Sequence, residues 1–143
     1  MNSKLEGIEE SRIKVSVVIP VYNTADFVSE CLDSVLHQSL KEIEIIVVDD
    51  CSTDNSLDLL KMYEAQDSRV SIVQHATNKG LPETRNSGVQ RARGEFVIHV
   101  DSDDFWRDQT MLEQLYELAE VRQSDVIKFT GHNYIDGQLG SSL

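Results

Sequence analysis

The sequence is short of positive charge, of cysteine and of long apolar runs, and each shortage closes off a class of function. Thirteen Lys and Arg face 25 Asp and Glu, a formal charge of −12 over 143 residues. Binding a polyanion requires a basic surface that releases counterions, so a nucleic-acid partner is excluded. A small anion such as a nucleoside diphosphate is admissible if a metal and one or two well-placed Arg or Lys neutralise it locally. Cys31 and Cys51 have neither metal-type spacing nor the number for a disulfide framework, and read as reduced structural residues. No apolar run approaches the roughly 20 residues that span a bilayer. Met1 to Ser11 is polar and acidic, unlike a signal peptide, which places the chain in the cytoplasm. A phosphate-binding Gly-rich loop is also missing: the first strand runs into Pro20-Val21-Tyr22, so a dinucleotide fingerprint is absent. His75 and His99 lie in strand-like stretches without an i, i+4 partner and read as structural, and His37 and His132 carry no better signal, which leaves transition-metal ligation unsupported.

What is present is an alternation of strand and helix. Lys14 to Pro20 is a β-branched run closed by proline, the pattern of a first strand. Thr24 is placed to cap a helix to about Gln38, with Phe27, Val28, Cys31, Leu32, Val35 and Leu36 on one face. Ile43 to Val48 is continuously apolar apart from Glu44, as in a strand buried on both faces of a parallel sheet. Ser52, Thr53 or Asp54 can cap the next helix, with Leu57, Leu60 and Met62 or Tyr63 inward. Val70 to His75 reads as a third strand, and Pro82 opens a helix to about Arg91. Glu95 to Val100 reads as a buried strand. Asp108 caps a helix with Met111, Leu112, Leu115, Leu118 and Ala119 inward, and Asp125 to Thr130 patterns as a fifth strand. Asp136-Gly137 suits a hairpin turn between Tyr134-Ile135 and Leu139. The predicted fold class is therefore α/β, one mainly parallel sheet covered on both faces, with ligands binding at the C-terminal ends of the strands.

Three polar loops fall on that edge: Pro20 to Asn23, Asp49 to Asp54, and Asp101 to Asp104. Asp101, Asp103 and Asp104 place three carboxylates within four positions, where they repel unless a cation or strong donors compensate them. A divalent metal with oxygen ligands accounts for the cluster; an acidic loop that caps the next helix is the alternative. Asp49-Asp50 suits either hydrogen bonding to a nucleobase or ribose, or a turn with a helix cap. Arg85 lies near a helix N-terminus, where its charge opposes the macrodipole, so it reads as serving a phosphate or the surplus acids, with a solvated surface position as the alternative. Arg91 and Arg93 read as dipole partners on a solvated face at the helix end.

Val17-Val18-Ile19-Pro20-Val21-Tyr22-Asn23, Ile46-Val47-Val48-Asp49-Asp50-Cys51-Ser52-Thr53-Asp54, Asn78-Lys79-Gly80 with Thr84-Arg85-Asn86-Ser87-Gly88, and Asp101-Ser102-Asp103-Asp104 together resemble the family 2 glycosyltransferases of the GT-A fold. The common form of the second motif has Gly where this chain has Cys51. The resemblance implies a nucleotide-sugar donor, most simply a UDP-sugar, and inverting transfer to a saccharide or lipid-linked acceptor in polysaccharide or glycoconjugate biosynthesis. It implies that Pro20, Val21 and Tyr22 line the base and ribose, that Asp50 recognises the base, and that Arg85 lies near the nucleotide or its phosphates. Asp101 and Asp103 match the DxD motif. Asp103 would ligate Mg²⁺ or Mn²⁺, Asp101 would hold ribose or a metal-bound water, and Asp104 is a further candidate ligand without an assigned role.

The family's general base lies well beyond the DxD motif, and neither Asp125 nor Asp136 suits that role. The chain is therefore expected to be the donor-binding portion of a longer enzyme, peripheral to a membrane in its full-length form, with its base beyond Leu143. Residues 1–13 are expected to form a polar extension, 14–130 the nucleotide-sugar-binding domain, and 131–143 the start of an acceptor-side segment. The rivals are a nucleotidyltransferase, which usually needs a Gly-rich basic loop after the first strand, and a non-catalytic Mg²⁺-binding domain of the receiver type, which needs acids there.

Overall fold

The β-branched runs Val15–Val21 (β1) and Ile43–Asp49 (β2) pair in parallel at the centre of a sheet, with every residue of both strands buried. The computed structural model describes residues 12–135 and 138–142. Val70–Gln74 (β3) adds outside β2 and Phe96–His99 (β4) outside β1, giving the all-parallel order β3-β2-β1-β4. The chain thus moves outward from β1 to β3 and then crosses back to β4. Such a reversal opens a crevice at the C-terminal ends of the strands.

Side chains of β1 and β2 alternate between two apolar layers. Val18, Ile46 and Val48 form one core patch with Val73 and Ala92; Val17, Ile19, Ile45 and Val47, equally buried, point to the opposite face. Helix α3 (Leu81–Arg91) lies against β1 and β2, so close that a Cβ on Gly88 would collide with Cγ1 of Val18. Helices α1 (Val28–Leu36) and α2 (Ser56–Gln66) are tied by the Tyr63 hydroxyl, which donates to Asp33 Oδ1 at 2.8 Å. Gln38, wholly buried, links the end of α1 to the start of α4 (Met111–Arg122): its Nε2 donates to Asp108 O at 2.8 Å and its Oε1 accepts the Leu112 N–H at 3.0 Å.

At the N-terminal edge of the sheet Glu44 is buried within a closed set of donors. It accepts the Ser16 hydroxyl at 2.6 Å, the Arg93 N–H at 2.6 Å, and Arg93 Nε and Nη2 at 3.0 and 2.9 Å. Burial pushes its carboxyl upward, but these hydrogen bonds and the Arg93 charge outweigh it and hold the group below its usual range. Arg93 is therefore the partner of a buried acid as well as a residue near a helix end, a pairing across 49 positions that local charge patterning does not reveal.

Other expectations need correction. Thr24 does not cap α1 with its side chain. Its carbonyl accepts the Phe27 and Val28 N–H groups, α1 starts at Val28, and the hydroxyl is directed to Ser102. Met62 and Leu118 are exposed, and Leu57 and Tyr63 are only half-buried, because α2 and α4 each bury a narrower face than their patterns offer. Strand β4 borders the sheet among the described residues, with Val97 41% exposed and Phe96 and Ile98 half-buried, so the run is half-buried on one face and exposed on the other. Residues 125–130 form no strand. Alternation alone does not make one without a hydrogen-bonded neighbour, and Val126 and Phe129 are exposed.

The chain divides into two compact units, the first ending at Glu113 and the second starting at Gln114. In the second, His132–Ile135 (β5) and Gln138–Ser142 (β6) pair antiparallel, with Tyr134 opposite Leu139 and Ile135 opposite Gln138. The Asp136-Gly137 turn lies outside the described residues. Among the described residues no helix is long and apolar enough to cross a membrane.

Candidate functional site

Four loops at the C-terminal edge of the sheet line a cleft of about 500 Å³. Pro20, Val21, Tyr22 and Thr24 line it after β1, Asp50 after β2, Asn78, Gly80, Leu81 and Thr84 around the start of α3, and Asp101, Ser102 and Asp103 after β4.

The loops are fastened to one another by side chains. Asn23, at φ +52°, accepts the Thr53 and Asp54 N–H groups on its Oδ1 at 2.7 and 3.3 Å, and its own N–H donates to Ser52 Oγ at 3.1 Å. Thr24 donates its hydroxyl to the buried Ser102 at 2.9 Å and its N–H to Ser56 Oγ at 3.0 Å. Asp54 Oδ1 accepts the Ser56 N–H at 2.9 Å and so supports the first turn of α2. Cys51 adopts φ +64°, in the left-handed region that glycine enters without steric cost, which explains why a glycine serves this turn in the common form of the motif.

Asp50 is the most constrained residue of the cleft. Its Oδ1 accepts from His75 Nδ1 at 2.7 Å and from the Lys79 N–H at 2.8 Å, and its Oδ2 accepts the Gly80 N–H at 2.8 Å. Burial raises its carboxyl, yet the bonds from His75, Lys79 and Gly80 outweigh burial and lower it from the usual value. Thr84 adds to this from nearby, although its hydroxyl proton is directed to Gly80 O at 2.7 Å. Gly80 reaches Asp50 only because it sits at φ +85°, ψ 163°, a conformation that side-chain-bearing residues avoid. Asp49 points elsewhere. It is fully buried, does not line the cleft, and its Oδ1 has no partner among the described residues.

The acidic loop is less compensated. Arg85 Nη2 donates to Asp101 Oδ1 at 2.6 Å, so Arg85 serves an acid in this structure and is not among the residues that line the cleft. Asp103 and Asp104 are both exposed, but only Asp103 lines the cleft. The Asp104 N–H donates to Asp101 O at 2.9 Å, a turn that fans successive side chains apart. The Asp104 carboxyl is raised first by partial burial and then by Asp103 and Asp101. Burial, followed by the same three acids, pushes the Cys31 thiol up to about 12, so this corner carries an excess of negative charge. The three acids do not form one ligand cluster. Among the described residues no group of three or more His, Cys, Asp or Glu is arranged to hold a metal ion. Asp103 with a second oxygen source still fits Mg²⁺ or Mn²⁺, since such ions commonly take one or two carboxylates and draw the remaining ligands from phosphates and water.

Asn78, Gly80, Leu81, Thr84 and His75 were not singled out as site residues from the sequence. The segment Asn78-Lys79-Gly80 carried the available signal, whereas His75 gave none because its partners lie 25 and 12 positions away.

A parallel sheet of order β3-β2-β1-β4 flanked by helices, with a cleft that holds Asp50, Asp101 and Asp103 at its switch point, defines an α/β domain of the GT-A, Rossmann-like kind. Residues 16–140 match the family model for glycosyl transferase family 2, and the chain belongs to that family. It is 38% identical to glycosyltransferase GlyG of Streptococcus pneumoniae over 120 residues, 84% of this chain and 40% of GlyG. The crystal structure of S. aureus TarS 1–349 in complex with UDP superposes with a TM-score of 0.76 at 35% identity, covering 87% of this chain and 37% of that one. Mannosyltransferase PcManGT from Pyrobaculum calidifontis, in complex with GDP-Man and Mn²⁺, superposes with a TM-score of 0.69 at 27% identity, covering 76% of this chain and 33% of that one. The chain thus spans less than half the length of each of these proteins.

Proposed function

We propose that this chain is the donor-binding portion of an inverting, metal-dependent glycosyltransferase that transfers a hexose-type sugar from a UDP-sugar to a saccharide or lipid-linked acceptor in polysaccharide or glycoconjugate synthesis. The observation that carries the proposal is the single cleft shared by Asp50, held ionised by three donors, and the under-compensated loop Asp101–Asp103. Asp50 meets the base, and Pro20, Val21 and the half-exposed Tyr22 form the wall along base and ribose. Asp101, oriented by Arg85, would take the ribose or a metal-bound water, and Asp103 would hold the cation. When bound, Mg²⁺ or Mn²⁺ neutralises charge on the departing nucleoside diphosphate. Asp104 stands outside the cleft and adds to the negative field that attracts the cation.

The UDP in the TarS complex and the Mn²⁺ in the PcManGT complex support the choice of donor and cation. The carboxylate that takes the acceptor hydroxyl's proton is not assigned to any residue of this chain. Calorimetric titration with UDP tests the reading. Binding should require Mn²⁺ or Mg²⁺, and Asp103→Ala should weaken it at least about tenfold, or 1.4 kcal/mol. Equal affinity with and without the cation would overturn it.

A further inference from the structure

We infer that His75 is the positioning residue of the base site: it fixes the Asp50 carboxylate so that one acceptor position faces the cleft, and thereby sets the preference for a base that offers an imide N–H. The inference rests on the proposal that Asp50 meets the base. His75 is 6% exposed, and both ring nitrogens are used: Nδ1 bonds Asp50 Oδ1 at 2.7 Å and Nε2 bonds Ser87 Oγ on α3 at 2.8 Å. Its backbone N–H donates to Asp49 O at 2.9 Å, so the imidazole is locked between the end of the sheet and α3.

A carboxylate offers about four acceptor positions. His75 and the Lys79 N–H take both positions on Oδ1, and the Gly80 N–H takes one on Oδ2. Thr84 lies beside Asp50 but directs its hydroxyl proton to Gly80 O at 2.7 Å, so the remaining position is on Oδ2, and Asp50 is among the residues that line the cleft. An ionised acceptor there attracts the N3–H of a uracil ring and repels the bare N3 of a cytosine ring. Without the Nδ1 donor a position on Oδ1 falls vacant, and the carboxylate can turn about its soft terminal torsion. Discrimination between the bases should then decline, while contacts to the diphosphate from the Asp101–Asp103 loop persist.

The test measures UDP and CDP affinities in the presence of Mn²⁺ for wild type, His75→Leu, His75→Gln, His75→Asn and Ser87→Ala. Wild type should prefer UDP. His75→Leu and His75→Gln, which lack a donor at the Nδ1 position, should reduce the UDP:CDP ratio about tenfold. His75→Asn, whose amide N–H falls where Nδ1 was, should restore most of the ratio, and Ser87→Ala should lower it less. Should His75→Leu fail to fold by circular dichroism, the contrast between Asn and Gln decides. An unchanged ratio with both affinities falling together, or equal losses in the Asn and Gln variants, would assign His75 a purely structural role and overturn the inference. A wild type that binds UDP and CDP equally would overturn the base assignment of Asp50 as well.

Discussion

At the N-terminal edge of the sheet, Glu44 accepts four hydrogen bonds from Ser16 and Arg93 and is not among the residues that line the cleft. At the C-terminal edge, Asp101 pairs with one arginine, while Asp103 and Asp104 face solvent and make their surroundings more negative. The same functional group is structural where protein donors saturate it and available to ligands where they do not. Asp50 combines the two conditions, since it is nearly saturated and still lines the cleft.

The largest effect that separates the two edges is expected at Glu44. Glu44→Ala strands the Ser16 hydroxyl and the Arg93 donors and should cost about 3 kcal/mol in chemical denaturation, allowing for the exposure of the Arg93 side chain. Nucleotide affinity of the folded fraction should not change. The folded-state value of Glu44 is lowered from 4.5, so its contribution is full above about pH 4.5 and is lost as the pH falls through the lower folded value. The gap between wild type and variant should therefore narrow only in acid. A loss of UDP binding by Glu44→Ala would join the edges that the comparison separates.

A smaller effect of opposite sign is expected at Asp104. Its folded value is raised from 3.8, so it weakens the fold once the pH rises through that range. Asp104→Asn should raise the melting temperature at pH 7 by ~2 °C, and the gain should vanish below about pH 3.8. A fall in melting temperature at pH 7 would show that the acidic loop is better compensated than its partners indicate.

Elements with dense local signals were legible in the sequence. The apolar runs of β1 and β2 and the proline at the start of α3 appear within a residue or so of their expected limits, because burial on both faces and helix initiation leave local traces. Hydrogen bonds between distant residues were not legible. Thr24 looks like a cap and instead ties two loops, Arg93 looks solvated and instead holds Glu44, and His75 looks structural while touching both Asp50 and Ser87. Residues 125–130 show the converse: a convincing strand pattern has no strand beside it. Convergence of the three loops could be foreseen from the alternation of strand and helix, which puts the loop after each parallel strand at one edge, whereas the separate directions taken by Asp101, Asp103 and Asp104 depend on a turn that residue types do not specify.

The separation of a ligand-binding edge from a structural edge is tested most directly by mapping backbone amide shifts on adding UDP with Mg²⁺. The account predicts large, saturable shifts at Tyr22, Asp50, Gly80 and Asp101–Asp103, and none at Ser16, Glu44, Arg93 and Gly94. Shifts concentrated on the second group, or no saturable shifts in the first, would contradict it.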